Sequence, residues 1–235
     1  GKYSASGSAI ANNSAMFLTN SLFYNNHTLS PQGSARAAIA MDAPSAYYNK
    51  YSLFINNTIV NNDASAAPGF NNISGIFLRD YDYHGGGVNE KHTLYAFNNI
   101  IYGNTARQDV SPVQLENFDL KADYNIIQNL DAALSANQGL SFDYTYDFDP
   151  AFTDSANGDF TLSGTSLALG KGIATWDTYL SLNAPLKDLS GKQRPFPTGS
   201  NPDLGAYENE LSKSPAPPPI EGPVSYTHLT LPTKA

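Results

Sequence analysis

The residues best suited to chemistry in this sequence fall in two short acidic and aromatic runs. The first is Phe142-Asp143-Tyr144-Thr145-Tyr146-Asp147-Phe148-Asp149. On an extended strand, successive side chains alternate between faces, which predicts Asp143, Thr145, Asp147 and Asp149 on one side and the aromatics on the other. Paired carboxylates can protonate and attack a glycosidic bond, and hard oxygen ligands can hold calcium. Asp143, Asp147 and Asp149 are therefore the candidate calcium ligands, and calcium is the one cofactor left open. A solvated acidic face explains the same pattern without any activity.

The second run is Arg79-Asp80-Tyr81-Asp82-Tyr83-His84, placed on a loop by its composition. Tyrosine rings stack on sugar faces, while Asp, Arg and His hydrogen-bond to hydroxyls, so this is the candidate ligand cluster. Tyr47 and Tyr48, on the preceding long loop, could line the same groove. The plainer alternative is a solvent-exposed turn.

Other chemistries lack their signatures. His27, His84 and His92 have no metal-ligand spacing and read as isolated surface or turn residues. Gly85-Gly86-Gly87 is followed neither by a helix nor by a Lys-Ser/Thr pair, so it reads as a turn and not as a phosphate loop. No Gly-x-Ser-x-Gly elbow suggests a hydrolase nucleophile, and with no cysteine there is no thiolate chemistry or disulfide framework. β-Elimination needs a basic group and cations to neutralise a uronate, yet Lys50, Arg79, Lys91, Arg107 and Lys121 are scattered.

The elements that would position these residues are strands. Only 14% of the 235 residues are charged, against 41% hydrophobic, so the polarity comes from Asn, Ser, Thr, Gly and Tyr. Such a composition disfavours Glu- and Lys-coated surface helices and favours strands with tight turns, an all-β chain. A net charge of -8 repels phosphate backbones and anionic lipid, which argues against nucleic-acid and membrane-surface partners. No apolar stretch approaches the roughly 20 residues of a membrane-spanning helix.

Four segments repeat: Asn20-Ser21-Leu22-Phe23-Tyr24-Asn25, Asn57-Thr58-Ile59-Val60-Asn61-Asn62, Asn98-Asn99-Ile100-Ile101-Tyr102-Gly103-Asn104 and Tyr124-Asn125-Ile126-Ile127-Gln128-Asn129. Each is a short apolar strand bounded by polar turn residues, mostly Asn. Aligned this way, Leu22, Ile59, Ile100 and Ile126 recur at intervals of about 37, 41 and 26 residues, which predicts stacked parallel strands around one aliphatic column with loops inserted between them. Asn at the strand ends suits left-handed turns, and stacked Asn side chains can hydrogen-bond along the stack. Ser52 to Ile55, Gly75 to Leu78 and His92 to Phe97 are further strands. An antiparallel sandwich is the rival, but two-residue Asn-Gly or Asp-Gly hairpin turns are missing from the repeats; Asn157-Gly158-Asp159 comes later.

From Gly85 onward, ordered blocks carry a family resemblance. They are Gly85-Gly86-Gly87 leading to Leu94, Phe97-Asn98-Asn99-Ile100-Ile101-Tyr102-Gly103-Asn104-Thr105-Ala106, Asp123-Tyr124-Asn125-Ile126-Ile127, Asp149-Pro150-Ala151-Phe152 and Gly158-Asp159-Phe160-Thr161-Leu162. Then follow Ser166-Leu167-Ala168-Leu169-Gly170-Lys171-Gly172, Asp188-Leu189-Ser190-Gly191-Lys192-Gln193-Arg194-Pro195 and Asp203-Leu204-Gly205-Ala206-Tyr207-Glu208. The series resembles bacterial right-handed parallel β-helix repeat proteins with a choice-of-anchor Q type C-terminal region, in the pectin-lyase-like superfamily. The resemblance implies a right-handed, single-stranded parallel β-helix (a solenoid) with a C-terminal capping segment, exported to the bacterial surface; a monomer is expected.

The function expected on that basis is a non-catalytic module contacting glycans or other cells. The alternative is the C-terminal fragment of a polysaccharide lyase or glycoside hydrolase. Residues 1–146 would be β-helix coils continuing a missing upstream part, and 147–209 the continuation and cap. Residues 210–222 would be a Pro-rich linker, and 223–235, which look like translated adapter sequence, a non-native tail. Trp176, Asp177, Tyr179 and Leu182 replace the more polar loop of the family, and a short helix is expected there. Arg194 is expected to pair with Asp203 or Glu208 and fasten the closing segment.

Overall fold

The computed structural model describes residues 9–12, 14–28, 38–44, 51–65, 73–81, 92–106, 113–116, 118–136, 142–176 and 182–210. Among them the regular elements are almost all strands. A first pass contains β1 (Ile10–Asn12), β2 (Phe17–Thr19) and β3 (Leu22–Tyr24), and a second β4 (Ile39–Pro44), β5 (Tyr51–Ile55), β6 (Thr58–Val60) and β7 (Asp63–Ala64). The third has β8 (Ile76–Tyr81), β9 (His92–Phe97), β10 (Ile100–Tyr102) and β11 (Thr105–Ala106), and the fourth β12 (Val113–Glu116), β13 (Phe118–Asp123) and β14 (Ile126–Ile127). Helix α1 (Leu130–Ala136) and β15 (Phe142–Asp143) follow.

Corresponding strands of successive passes pair in parallel. They form one sheet of β1, β4, β8 and β12, a second of β2, β5, β9, β13 and β15, a third of β3, β6, β10 and β14, and a small one of β7 and β11. Parallel pairing excludes the antiparallel sandwich for these strands. After β15 the pairing turns antiparallel: β16 (Phe152–Asp154) with β17 (Asp159–Leu162), then β18 (Thr175–Trp176) with β19 (Leu182–Asn183). Gly158, at φ 85°, makes the turn before β17 that Asn157-Gly158-Asp159 foreshadows.

Between the second and third sheets the chain turns a corner in two residues, and the first of them takes a left-handed conformation in every pass. Asn20, Asn56, Asn98 and Tyr124 have φ of 47°, 53°, 59° and 53°. The next residues stack their side chains. Asn57 Nδ2 donates to Asn99 Oδ1 at 3.0 Å, and Asn99 Nδ2 to Asn125 Oδ1 at 2.9 Å, while the backbone N–H of Ser21, Asn57 and Asn99 donates to the carboxamide of the following pass. These carboxamides are buried, so each satisfies backbone groups that water cannot reach. Asn26, Asn62 and Asn104 repeat the arrangement at the far end of the third sheet.

The register corrects the repeat alignment. Leu22, Thr58, Ile100 and Ile126 are in line, and so are Phe23, Ile59, Ile101 and Ile127. Asn56, not Asn57, opens the second repeat, and the misplacement by one residue moves Ile59 to the opposite face. Ile59, Ile101 and Ile127 belong to the interior cluster with Met41, Phe54 and Leu94. Ile100 and Ile126 instead pack with Leu22, beneath Phe160, Leu162 and Leu204 of the chain after residue 150. There are thus two apolar layers where the alignment predicts one column.

Helix α1, which the composition did not suggest, closes the far end of the interior. Ala133 is fully buried and Leu130 half-buried against the interior cluster. In the stretch expected to hold a short helix, β18 and β19 pair as strands and Trp176 packs on Phe97, while residues 177–181, with Asp177 and Tyr179, lie outside the described residues. Among the described residues no helix is long and apolar enough to cross a membrane.

The corner stack yields a test. Asn99→Ala removes acceptors for Asn57 and donors to Phe54 O and Asn125 Oδ1, leaving several buried groups unpaired at about 1–3 kcal/mol each. Urea unfolding should show a loss of about 3 kcal/mol or more; a loss under ~1 kcal/mol would mean that the stack adds little.

Candidate functional site

Regular alternation along the second sheet separates an interior face from an outer one. Ser52, Phe54, His92, Leu94, Phe118 and Leu120 point inward and are buried, leaving Phe17, Tyr51, Leu53, Thr93, Tyr95, Asp119 and Lys121 on the outside. Phe17, Leu53, Tyr95 and Lys121 lie directly in line across four adjacent strands. The outer face is consequently aromatic over β2, β5 and β9 and charged over β13.

The aromatic side chains form a continuous row. Phe17 and Tyr51 have ring centroids 5.5 Å apart, Tyr51 and Tyr95 6.0 Å, and Tyr95 and Trp176 6.1 Å. Edge-to-face contacts at the last two pairs hold the rings in fixed relative orientations. Phe17 is 59% exposed, while Tyr51, Tyr95 and Trp176 are half-buried.

Trp176 enters the row from β18 and sits against Phe97, with ring centroids 5.1 Å apart. Its indole Nε1–H donates to Asp123 Oδ2 at 2.7 Å. Burial pushes the Asp123 carboxyl up to about 6; the indole donor opposes that shift and Asp143, its partner on β15, adds to it. Between about pH 4 and 6 the folded chain thus keeps a proton that the unfolded chain has released, and that stabilising contribution is lost as the pH rises through about 6.

The first acidic run does not form the alternating strand expected of it. Strand β15 ends at Asp143, and Tyr144 has φ 45°, so the alternation breaks there and Tyr144 stacks on Tyr124 at 5.0 Å. Asp147 accepts from the backbone N–H of Asn129 and Leu130, each at 3.2 Å, and so caps α1. Asp149 accepts from the N–H of Ala151 at 2.8 Å, while Asp143 lies on the outer sheet face beside Asp123. Among the described residues, no group of three or more His, Asp or Glu is placed to hold a metal ion.

Of the second run, Arg79, Asp80 and Tyr81 continue strand β8 where a loop was expected, pairing with Asp42, Ala43 and Pro44. Their side chains, and all of Asp82, Tyr83, His84, Tyr47, Tyr48 and the Gly85–Gly87 turn, lie outside the described residues. His92 is no surface residue: it is 2% exposed in the interior, where its Nε2 meets Ser52 Oγ at 3.0 Å and burial lowers its pKa to about 4. The Ser52 hydroxyl also accepts from the Met16 N–H, so this Ser-His pair holds the interior together out of reach of any substrate. His27 is exposed, with Nδ1 3.6 Å from Asp63.

Sequence reasoning missed the aromatic row because its members lie in four separate segments. Tyr51-Ser52-Leu53 and Thr93-Leu94-Tyr95 do alternate, and adding strand register to that alternation would have placed Tyr51, Leu53 and Tyr95 on one face. Trp176 had no such signal. Comparison with protein-family models, curated proteins and solved structures returned no match, so the family resemblance rests on the quoted motifs.

Trp176 is the chain's one tryptophan, which makes the site readable by fluorescence. Its emission should titrate with a midpoint near pH 6 and stop titrating in Asp123→Asn. A midpoint unchanged in that variant would assign the transition to another group.

Proposed function

We propose that the chain is part of an exported or cell-surface protein that contacts glycans without cleaving them, and that its parallel sheets wind as a right-handed single-stranded β-helix closed by the segment after residue 147. The winding is supported by the constant order in which each pass visits the three sheets and by the two-residue corners between the second and the third. The glycan reading is carried by one observation, the row Phe17, Tyr51, Tyr95 and Trp176 on an outer sheet face. Aromatic rings stack on the C–H faces of sugars, and a row crossing adjacent strands about 4.8 Å apart suits an extended oligosaccharide.

Neighbouring polar groups fit the same reading. Lys121, Asp119 and Asp123 border the row on β13 and can hydrogen-bond to hydroxyls. The net charge of -8 favours neutral over polyanionic glycans. Tyr81, Tyr83, Asp80, Asp82, His84, Arg79, Tyr47 and Tyr48 remain proposed as a second contact region. Calcium at Asp143, Asp147 and Asp149 is a weaker proposal, since capping α1 already engages Asp147.

The test is a polysaccharide array scored for both binding and product release. Binding without release is expected, with Tyr95→Ala and Trp176→Ala each weakening it about tenfold, or ~1.4 kcal/mol. Release of reducing or unsaturated sugar would replace this reading with that of a lyase or hydrolase fragment. Binding unchanged in both variants would remove the aromatic row from the function.

A further inference from the structure

The segment from 182 to 209 is fastened to the first three passes around a buried charge cluster whose signs do not balance. Arg194, Asp188, Asp203 and Glu208 are 1%, 5%, 0% and 3% exposed. Arg194 Nε donates to Glu208 Oε2 at 3.0 Å, its Nη1 to Asn20 Oδ1 at 2.6 Å and its Nη2 to Gly205 O at 3.1 Å. One guanidinium therefore faces three carboxyl groups. Of the two other basic side chains on this segment, Lys192 pairs at the surface with Glu210 at 3.6 Å and Lys187 is exposed, with its carbonyl bonded to Asn20. The half-buried Tyr207 phenol brings no cation.

Backbone groups hold each carboxylate in place. Asp203 accepts the N–H of Gly170 and of Asn209, both at 2.7 Å. Glu208 accepts those of Phe196 and Asp203, and Asp188 those of Lys192 and Glu208. The same segment grips the corner residues of the second and third passes: Asn56 Nδ2 donates to Asp203 O and Gly205 O, Ala206 N–H to Thr58 Oγ1, and Gly205 N–H to Asn98 O. A change of charge in the cluster is thus coupled directly to the docking contacts.

We propose that the Arg194, Asp188, Asp203 and Glu208 cluster is a pH-sensitive latch, closed while one of Asp203 and Glu208 carries a proton and loosened when that proton leaves. With the proton, the buried excess is one negative charge; without it, two, and burying uncompensated charge is costly. Burial, then Glu208, pushes Asp203 up to about 7 against the pull of its two N–H donors and Arg194, and burial also raises Glu208. Both shifts are upward from ordinary carboxylate values. The proton therefore favours the docked state below the window between about 4 and 7, and that advantage disappears as the pH rises through about 7.

Amide hydrogen exchange on the full chain tests the latch. After correction for intrinsic rates, protection at Gly205 and Ala206 should fall about tenfold between pH 6 and 8 if the latch titrates near 7. The Leu53 amide, bonded to Met16 O within the second sheet, should keep its protection. Asp203→Asn should flatten the response at Gly205 and Ala206. Constant protection at those amides, or a fall matched at Leu53, would overturn the proposal. So would a tenfold response surviving in Asp203→Asn; should that variant not fold, the wild-type comparison with Leu53 decides alone.

Discussion

Everything else in the structure depends on how buried corners between parallel strands are made polar enough to exist. A two-residue corner demands one left-handed residue and strands several backbone groups away from water. Asparagine meets both demands, since it tolerates positive φ and carries a donor and an acceptor on one short side chain. The residues divide the work. Asn57, Asn99 and Asn125 turn inward and bind one another and the strand carbonyls, whereas Asn20, Asn56 and Asn98 bind the chain that returns after residue 170. One corner thereby fixes the stacking of passes and also the line along which the last part of the chain docks.

That docking explains why the third sheet has apolar residues on both faces. Its inner residues Ile59, Ile101 and Ile127 meet the interior, while Ile100 and Ile126 meet Phe160, Leu162 and Leu204. A strand buried on both sides reads as a continuous apolar run, and Ile100-Ile101 and Ile126-Ile127 are such runs. Gly205 lies so close to this surface that a Cβ there would meet Ile100 Cδ1 and Thr58 Oγ1 at 2.7 Å, so the backbone itself closes the layer.

How much could be read from the sequence follows from where each signal lies. The Asn-bounded strands, the left-handed corners and the Asn stack were legible, because each depends on residue types with one favoured local use, and so was a carboxylate partner for Arg194, though not which of Asp203 and Glu208 it would be. The register of the second repeat was not: Asn56-Asn57 and Asn61-Asn62 flank the strand symmetrically, and only the partner strands distinguish the two alignments. Helix α1 was hidden because its cap, Asp147, arrives from 17 residues downstream of Leu130. The acidic run misled for the same reason, since alternation in sequence is meaningless once Tyr144 takes a positive φ.

Burial in this fold also sets groups with opposite proton preferences against one another. His92, held near 4 in the interior, stays neutral where the unfolded chain would be protonated, so it adds stability as the pH rises from about 4 to 6.5. Asp123 and Asp203, raised to about 6 and 7, withdraw stability over much of the same range. The three groups lie in different places: the interior, the outer face of the second sheet and the docked final segment. The opposition is only partial in the sum, and a rise in pH moves stability from the flank toward the interior.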